Sequence, residues 1–303
     1  MNEFFLLFLN NLLPIFLAAG AGFLLVKVLK INPLPLSRVT FYIFSPCLIF
    51  SLLTHTNLES GDIARSILFA GVLMAVVGFL AWISAKSLKF DRTTLSAVLL
   101  TTMFMNAGNY GLPLALFAFG KEALGYASIY FITMAIFLYT AGIVIASLGS
   151  TSLVESLKNL VKIPVIYALL LAVIIMFSGW QVPLFLDRTI TLLGDASIPT
   201  MLVLLGMQLT NVRLAGLSAP LALAVVMRLL VSPAIALLLV SIFGMTAPAS
   251  QVSVTYAAMP SAVFNTVLAT EYNVKPSFVT AVVFITTILS PLSLTPLLAY
   301  LGA

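Results

Sequence analysis

Two asparagines stand in the middle of a long apolar stretch, in the sequence Asn106-Ala-Gly-Asn109-Tyr-Gly-Leu-Pro113. Carboxamides donate and accept hydrogen bonds, and residues three apart on a helix share a face. Glycine and proline interrupt helices, and inside a bilayer an interruption is tolerated where the freed backbone groups meet protein or a wet cavity. The half-helix that begins near Pro113 would turn its positive end toward an anion. The pattern predicts a polar site at mid-membrane depth.

A second interruption is predicted from Pro260, Ser261 and Asn265 in the ninth apolar stretch. Paired interruptions near the bilayer centre are how many secondary transporters build a substrate site. The alternative is that each proline only kinks its helix, while the asparagines bridge neighbouring helices. The pairing favours a site, whose breaks the two prolines would shape. The predicted substrate-binding residues are Asn106, Asn109, Tyr110, Pro113, Pro260, Ser261 and Asn265.

Asp195 and Arg228 are the charges that lie deepest in the apolar stretches. At a rise of 1.5 Å per residue, Arg228 is about 15 Å inside its stretch and Asp195 about 10 Å from the outer face. An unpaired charge at the membrane centre costs about 2.5–3.5 kcal/mol on insertion scales, so we expect the two to form an ion pair. The pair would act either as a structural lock between two helices or, through protonation of Asp195, as a coupling site.

Metal, redox and hydrolytic chemistry find little support. His55 and Cys47 are the single histidine and cysteine, which excludes an intramolecular disulfide and argues against a metal cluster. We therefore expect no metal and no cofactor. An aspartyl protease would need a second buried aspartate beside Asp195, and His55 at a membrane edge is a poor base for a buried serine. The sequence has no Walker-type phosphate loop, and we predict that the protein is not an enzyme.

The elements that must position these residues are transmembrane helices. Of 303 residues, 62% are hydrophobic and 8% are charged, against about 25% charged in soluble proteins. Continuous apolar runs of about 20 residues fit helices, whereas barrel strands need about 10 alternating residues. We predict an all-α polytopic membrane protein with ten transmembrane helices near 4–26, 36–54, 63–86, 94–119, 123–147, 160–178, 184–209, 218–243, 250–271 and 276–301.

The net charge of +5 reflects membrane topology and not nucleic-acid binding, because the basic residues are scattered at loop edges. Lysine and arginine favour the cytoplasmic side. Loops that follow odd-numbered spans carry ten of them: Lys27, Lys30, Arg38, Lys86, Lys89, Arg92, Lys158, Lys162, Arg213 and Lys275. The opposite side carries three: Arg65, Lys121 and Arg188. The bias predicts a multi-pass protein of the cell (inner) membrane with both termini extracytoplasmic.

A polar linker at 149–158 divides the chain into a first five-helix repeat at 1–148 and a second at 159–303. Because each half has an odd number of predicted spans, the second must enter the membrane upside down. Such inverted repeats place a binding site at their interface. Short motifs recur in the same order in both halves: Thr56-Asn57 with Thr210-Asn211, and Phe131-Ile-Thr133 with Phe284-Ile-Thr286.

These motifs resemble the auxin efflux carrier family, which includes plant PIN-type carriers and bacterial permeases for malate or malonate. The resemblance covers essentially the whole chain. It is strongest at the Asn106–Pro113 stretch, at Leu193-Gly-Asp-Ala-Ser-Ile-Pro199, and at Met259-Pro260 with the later Glu271-Tyr-Asn-Val274. It implies a secondary transporter in the lipid bilayer whose substrate is a small organic anion, a carboxylate.

The resemblance also implies a fold similar to that of the sodium–bile acid symporters. Spans 1, 2, 6 and 7 would form a scaffold, through which a homodimer can assemble. Spans 3–5 and 8–10 would form a mobile transport domain in which spans 4 and 9 cross. Carboxylates would bind at the crossing and move by an elevator-type shift. This chain departs from the plant carriers in having Asn265 where they have a second proline, and in lacking their long cytoplasmic loop.

Other functions stay open on the sequence alone. A sodium-coupled symporter of the same fold needs several oxygen ligands for the ion, often including an acidic side chain on span 9. This sequence has no acidic residue predicted to be buried in that span. A channel or a non-transporting membrane sensor could use the same scaffold. An intramembrane hydrolase would depend on Asp195.

Overall fold

A computed structural model describes residues 2–55, 60–147, 163–178, 180–211 and 218–303. The regular elements among these residues are all helices, and the β-type pairing among them is one isolated bridge between Met105 and Ser261. The helices are α1 (Asn2–Leu7), α2 (Leu13–Leu29), α3 (Pro33–Val39), α4 (Ser45–His55), α5 (Ser60–Ser87), α6 (Arg92–Met103), α7 (Leu112–Phe137), α8 (Ile143–Ala146), α9 (Pro164–Ser178), α10 (Leu184–Asp195), α11 (Ser197–Gln208), α12 (Ala219–Val226), α13 (Ser232–Phe243), α14 (Ala249–Ala257), α15 (Phe264–Glu271) and α16 (Pro276–Leu301). Wider π-helical turns join several of them, at Phe8–Leu12, Thr40–Phe44, Ala107–Gly111, Leu138–Gly142 and Met227–Val231, and a short 3₁₀ turn follows α11 at Leu209–Asn211.

Within the described residues, seven helical stretches are long and apolar enough to cross a membrane. They are Phe4–Leu29, Pro33–His55, Gly61–Ser87, Ala107–Ala146, Leu184–Gln208, Ala219–Phe243 and Pro276–Leu301. A shorter apolar helix covers Pro164–Met176. The prediction of an all-helical polytopic membrane protein is confirmed, whereas ten spans in two inverted repeats stay a prediction. The linker at 149–158 and the motif Thr56-Asn57 lie outside the described residues.

The predicted fourth and ninth spans are not continuous helices. The fourth is divided between α6, which ends at Met103, and the helical stretch that begins at Ala107. The ninth is divided between α14 and α15, of nine and eight residues, which are each too short to cross a bilayer alone. The predicted turn between spans 4 and 5 coincides with non-helical backbone at Gly120, whose φ of 82° suits glycine.

The surface and interior follow the pattern expected in lipid. Large apolar side chains such as Leu17, Leu238 and Leu292 are more than 60% exposed on the outside. Many buried hydroxyls bond to their own helix instead of to other side chains, as Thr101 does with the carbonyl of Ala97 at 2.9 Å. Such bonds satisfy the hydroxyl where water is absent.

Glycines set the closest contact between the two halves of the chain, where α2 packs along α11. A Cβ atom at Gly206 would lie 1.6 Å from the carbonyl oxygen of Ala19, and one at Gly22 would lie 1.9 Å from that of Val203. Small residues let helix backbones approach this closely in membranes. The contact fixes the predicted first and seventh spans against each other.

Asp91 positions the start of α6. Its carboxylate accepts hydrogen bonds from the Thr94 backbone N–H at 2.9 Å and from the Thr94 hydroxyl at 2.5 Å, which satisfies an N-terminal donor of the helix. The Lys275 ammonium lies 3.0 Å from the same carboxylate and also bonds to the Thr94 hydroxyl. The bonds from Thr94 and then Lys275 hold the pKa of Asp91 below its ordinary value of 3.8.

Candidate functional site

The two predicted interruptions meet in space and are joined through their backbones. After α6 the chain becomes extended at Phe104, with φ −106° and ψ 110°. The Asn106 N–H donates to the Pro260 carbonyl at 2.8 Å, and the Ala262 N–H donates to the Phe104 carbonyl at 2.9 Å. Two breaks from opposite halves of the sequence thus satisfy each other's freed groups, as a buried interruption requires.

Asn265 holds this junction together from inside. Its side-chain amide donates to the carbonyls of Leu100 and Phe104 and to the Ser261 hydroxyl, each at 3.0 Å, and the residue is fully buried. The Ser261 N–H in turn donates to the Thr286 hydroxyl at 3.1 Å. The structure therefore places Asn265 and Ser261 behind the break, where the Asn265 side-chain NH2 and the Ser261 backbone N–H both donate to protein groups.

Tyr110, Pro113 and Pro260 are also buried. The Tyr110 hydroxyl lies 2.9 Å from the Ser290 hydroxyl of α16, and its ring packs edge-on against Phe16. The two prolines lie at the breaks, as the sequence predicts. These three residues pack and shape the region, and their side chains do not line the cavity described next.

A cavity of about 360 Å³, here called the amide cavity, adjoins the first break. Its polar wall includes Asn106, Asn109 and Gln208, and its apolar wall includes Phe131 and Leu204. The side-chain amide nitrogen of Asn106, Nδ2, is buried and has no hydrogen-bond partner among the described protein groups. A buried donor without a partner costs roughly 1–3 kcal/mol, which a ligand in the cavity would recover by accepting its hydrogen bond.

Gln208 is a polar residue of this cavity that the sequence analysis did not single out. It lies at the end of α11, and its side-chain carbonyl accepts a hydrogen bond of 3.1 Å from the Asn109 amide. The available signal was a lone carboxamide near the end of an apolar helix. Its proximity to Asn109, however, arises from tertiary packing between α11 and the Ala107–Gly111 turn.

The structure does not bring Asp195 and Arg228 together. Arg228 is buried and donates to the carbonyl of Thr102 at 2.7 Å, to the Ser232 hydroxyl at 2.9 Å, and to the carbonyl of Ala257. Asp195 is exposed and is the last residue of α10. Depth along the sequence did not reveal that the two side chains point to different places.

Asp195 instead lines a second and larger cavity of about 1220 Å³, here called the charged cavity. His55, Lys121, Glu122 and Asp187 line it too, and the His55 ring nitrogen Nε2 lies 3.1 Å from the Asp187 carboxylate. Within the described ranges, no group of three histidine, cysteine, aspartate or glutamate residues is arranged to hold a metal ion.

Both cavities lie along one seam, where α4 and α11 face α7 and the Ala107–Gly111 turn. Along α11, Ile198 to Val203 line the charged cavity and Met201 to Gln208 line the amide cavity. The two cavities are therefore neighbours on this helix, and their linings overlap by about one turn.

Residues 7–298 match a family described as membrane transport protein. The chain belongs to this family. It is the auxin efflux carrier-like family that the sequence motifs resemble, and the match covers nearly the whole chain.

Two archaeal relatives extend the comparison. The chain is 29% identical over 267 residues to an uncharacterized transporter of Methanocaldococcus jannaschii, covering 84% of this chain and 85% of the relative. It is 28% identical over 261 residues to an uncharacterized transporter of Methanothermobacter thermautotrophicus, covering 86% of each. Family membership and apolar helices together support a membrane transporter that acts on a small molecule, and not an enzyme.

Proposed function

We propose that the protein is a secondary transporter of a small organic anion and that carboxylates bind in the amide cavity. The observation that carries the proposal is the side-chain NH2 group of Asn106, which is buried without a protein partner in a cavity beside the junction of two helix breaks. An N–H donor without a protein partner suits an acceptor such as a carboxylate oxygen. Asn109 and Gln208 supply further carboxamide groups on the same walls.

Charge and size point to the same class of substrate. The helices after the breaks begin beside the junction, and helix N-termini carry about half a positive charge. The cavity of about 360 Å³ lies at the small end of the range of ligand pockets, about 300–1,000 Å³. A mono- or dicarboxylate of a few carbons would fit, with Tyr110, Pro113, Pro260, Ser261 and Asn265 shaping the site from behind.

The mechanism we propose is elevator-type alternating access. The predicted spans 1, 2, 6 and 7 would act as a scaffold and spans 3–5 and 8–10 as the transport domain, in ten helices arranged as two inverted repeats. The amide and charged cavities are neighbours on one seam between the predicted scaffold and transport domain, and a seam of this kind suits movement of one domain along the other. By the lysine and arginine bias, the charged cavity would face outward in the inner membrane.

Binding of carboxylates to the purified protein tests the proposal. We expect a screen of mono- and dicarboxylates to raise the melting temperature of the wild type, and Asn106→Ala to abolish the increase while keeping the ligand-free melting temperature. Saturable counterflow of the best ligand in proteoliposomes would argue against a channel, and equal uptake with and without sodium against a sodium symporter. Failure of every carboxylate to bind or be transported would contradict the proposal.

A further inference from the structure

Arg228 has a role that neither its family nor its depth explains. It lies in the π-helical turn Met227–Val231 and is only 1% exposed, the largest side chain buried to that degree. Within the described part of the chain, no carboxylate lies within ion-pair distance of its guanidinium. A lone cation at this depth is costly, so its charge must be compensated by something else.

The compensation comes from two helix ends. Thr102 is the next-to-last residue of α6, and Ala257 is the last residue of α14. Arg228 donates from one guanidinium nitrogen to the carbonyl of Thr102 at 2.7 Å and from another to the carbonyl of Ala257. Carbonyls in the last turn of a helix lack partners within it, so both bonds satisfy groups that would otherwise be orphaned.

The charges balance as well. A helix C-terminus carries about half a negative charge, so two such ends amount to about one elementary charge. That total is equal and opposite to the charge of the guanidinium. Both helices end immediately before a break, so one side chain connects the two half-helices that lead into the junction between residues 104–106 and 260–262.

We infer that Arg228 is the positioning residue of the junction, which ties α6 to α14 and cancels their negative ends. The positive ends of the helices that follow the breaks then remain uncancelled beside the amide cavity. The tie itself does not depend on what the protein transports. Its effect on anion affinity rests on the proposed function, and the two consequences are separated by two measurements.

Hydrogen exchange on the ligand-free protein tests the tie. In Arg228→Met, which keeps much of the volume but removes the charge and donors, we expect peptides covering 104–112 and 258–265 to exchange about tenfold faster or more. Peptides from α2 and α11 should be unchanged. Ser232→Ala is the matched control, because it removes the third partner of Arg228 but leaves both carbonyl contacts; its exchange should match the wild type.

The methionine variant leaves the carbonyls of Thr102 and Ala257 without this donor, which lowers stability, so the experiment first checks that the variant folds. Arg228→Lys provides a second variant if it does not. The single ammonium keeps the charge but does not have the fork that reaches both helix ends, so exchange should rise at one break at least. Wild-type exchange at both breaks, in a folded methionine variant or in the lysine variant, would overturn the tie.

Charge dependence of binding tests the second consequence. Malonate and its monomethyl ester serve as probes with two and one negative charges. In Arg228→Met, we expect malonate affinity to fall by a larger factor than ester affinity, and Arg228→Lys to restore the ratio. A purely structural role would lower both equally, and that result would overturn the electrostatic part. If the wild type binds neither probe while the exchange result holds, the proposed carboxylate function fails and the tie stands.

Discussion

The two breaks are built from similar residues but use them differently. At the first break, the side-chain amide nitrogen of Asn106 has no protein partner and lies at the wall of a cavity. At the second break, Asn265 is fully buried, and its side-chain NH2 group lies within hydrogen-bonding distance of three protein acceptors. A carboxamide at membrane depth is therefore available to a ligand only where the fold leaves its N–H donors without protein partners.

Asn265→Ala should have the largest effect on stability. It removes an NH2 group whose two hydrogens serve three buried acceptors, which corresponds to a loss of about 2–4 kcal/mol. We expect a large drop in the melting temperature of the detergent-solubilised protein. Asn106→Ala is the matched control, with the same chemical change and an expected loss of less than about 1 kcal/mol. Equal destabilisation by both variants would remove the distinction between the two breaks.

Asn106→Ala should have the largest effect on binding. Loss of a donor that meets a charged acceptor costs about 1.5–3 kcal/mol, or more than tenfold in affinity. Titration of the tightest carboxylate from the screen, by calorimetry or thermal shift, measures the change. Asn106→Asp would add a like charge and should weaken binding further. Wild-type affinity in the alanine variant would place the ligand elsewhere.

Gln208→Ala should have an intermediate effect. Because Gln208 contacts Asn109 across the seam, its loss leaves a carboxamide free at the cavity wall. We expect carboxylate affinity to change by roughly three- to tenfold, corresponding to one neutral hydrogen bond. Substrate-dependent uptake and equilibrium binding should be measured together, because a contact made only at one stage of transport would change uptake and leave affinity intact.

Tyr110→Phe should lower stability slightly and leave binding unchanged. The substitution removes the bond between the Tyr110 and Ser290 hydroxyls and keeps the ring, at a cost of about 1 kcal/mol in the free energy of unfolding. Carboxylate affinity should remain within about twofold of the wild type. A tenfold loss of affinity would show that the residue behind the break reaches the ligand.

Asp91→Asn should have the smallest effect, since the pair with Lys275 is exposed. This pair joins the start of α6 to the residue that precedes α16. The folded-state pKa of Asp91 is lowered, so its contribution is complete above the ordinary value of 3.8 and declines as the pH falls through the folded-state pKa. The melting temperatures of wild type and variant should differ slightly at pH 6 and converge in strong acid. A difference that grows on acidification would contradict this sign.

Much of the fold follows from local sequence. Apolar runs give the helices, and glycine with proline gives both breaks. Their meeting was expected from the inverted-repeat pattern, but the atoms that join them, such as the Asn106 N–H and the Pro260 carbonyl, are backbone groups that any sequence supplies. The partners of Arg228 are hidden for the same reason, because helix-end carbonyls leave no mark in the residue types.

The candidate site was predictable only in part. Asn106 and Asn109 lie on the cavity wall because they belong to the irregular segment itself. Asn265 is the second residue of α15, and its side chain bonds to carbonyls at the end of α6. Residue type does not distinguish this situation from that of Asn106. Gln208 reaches the cavity through packing of α11, which depends on contacts across more than ninety residues of sequence.

The backbone bonds between residues 104–106 and 260–262 also constrain how the protein can move. If one interrupted segment moved past the other, two backbone N–H groups and two backbone carbonyls would be left buried without partners, at a cost of several kcal/mol. We therefore expect any movement of the two segments to carry both as a single rigid unit. Under the proposed mechanism, a substrate bound beside them would keep the same protein contacts during transport, and the free-energy barrier would depend on the surfaces along which the unit moves.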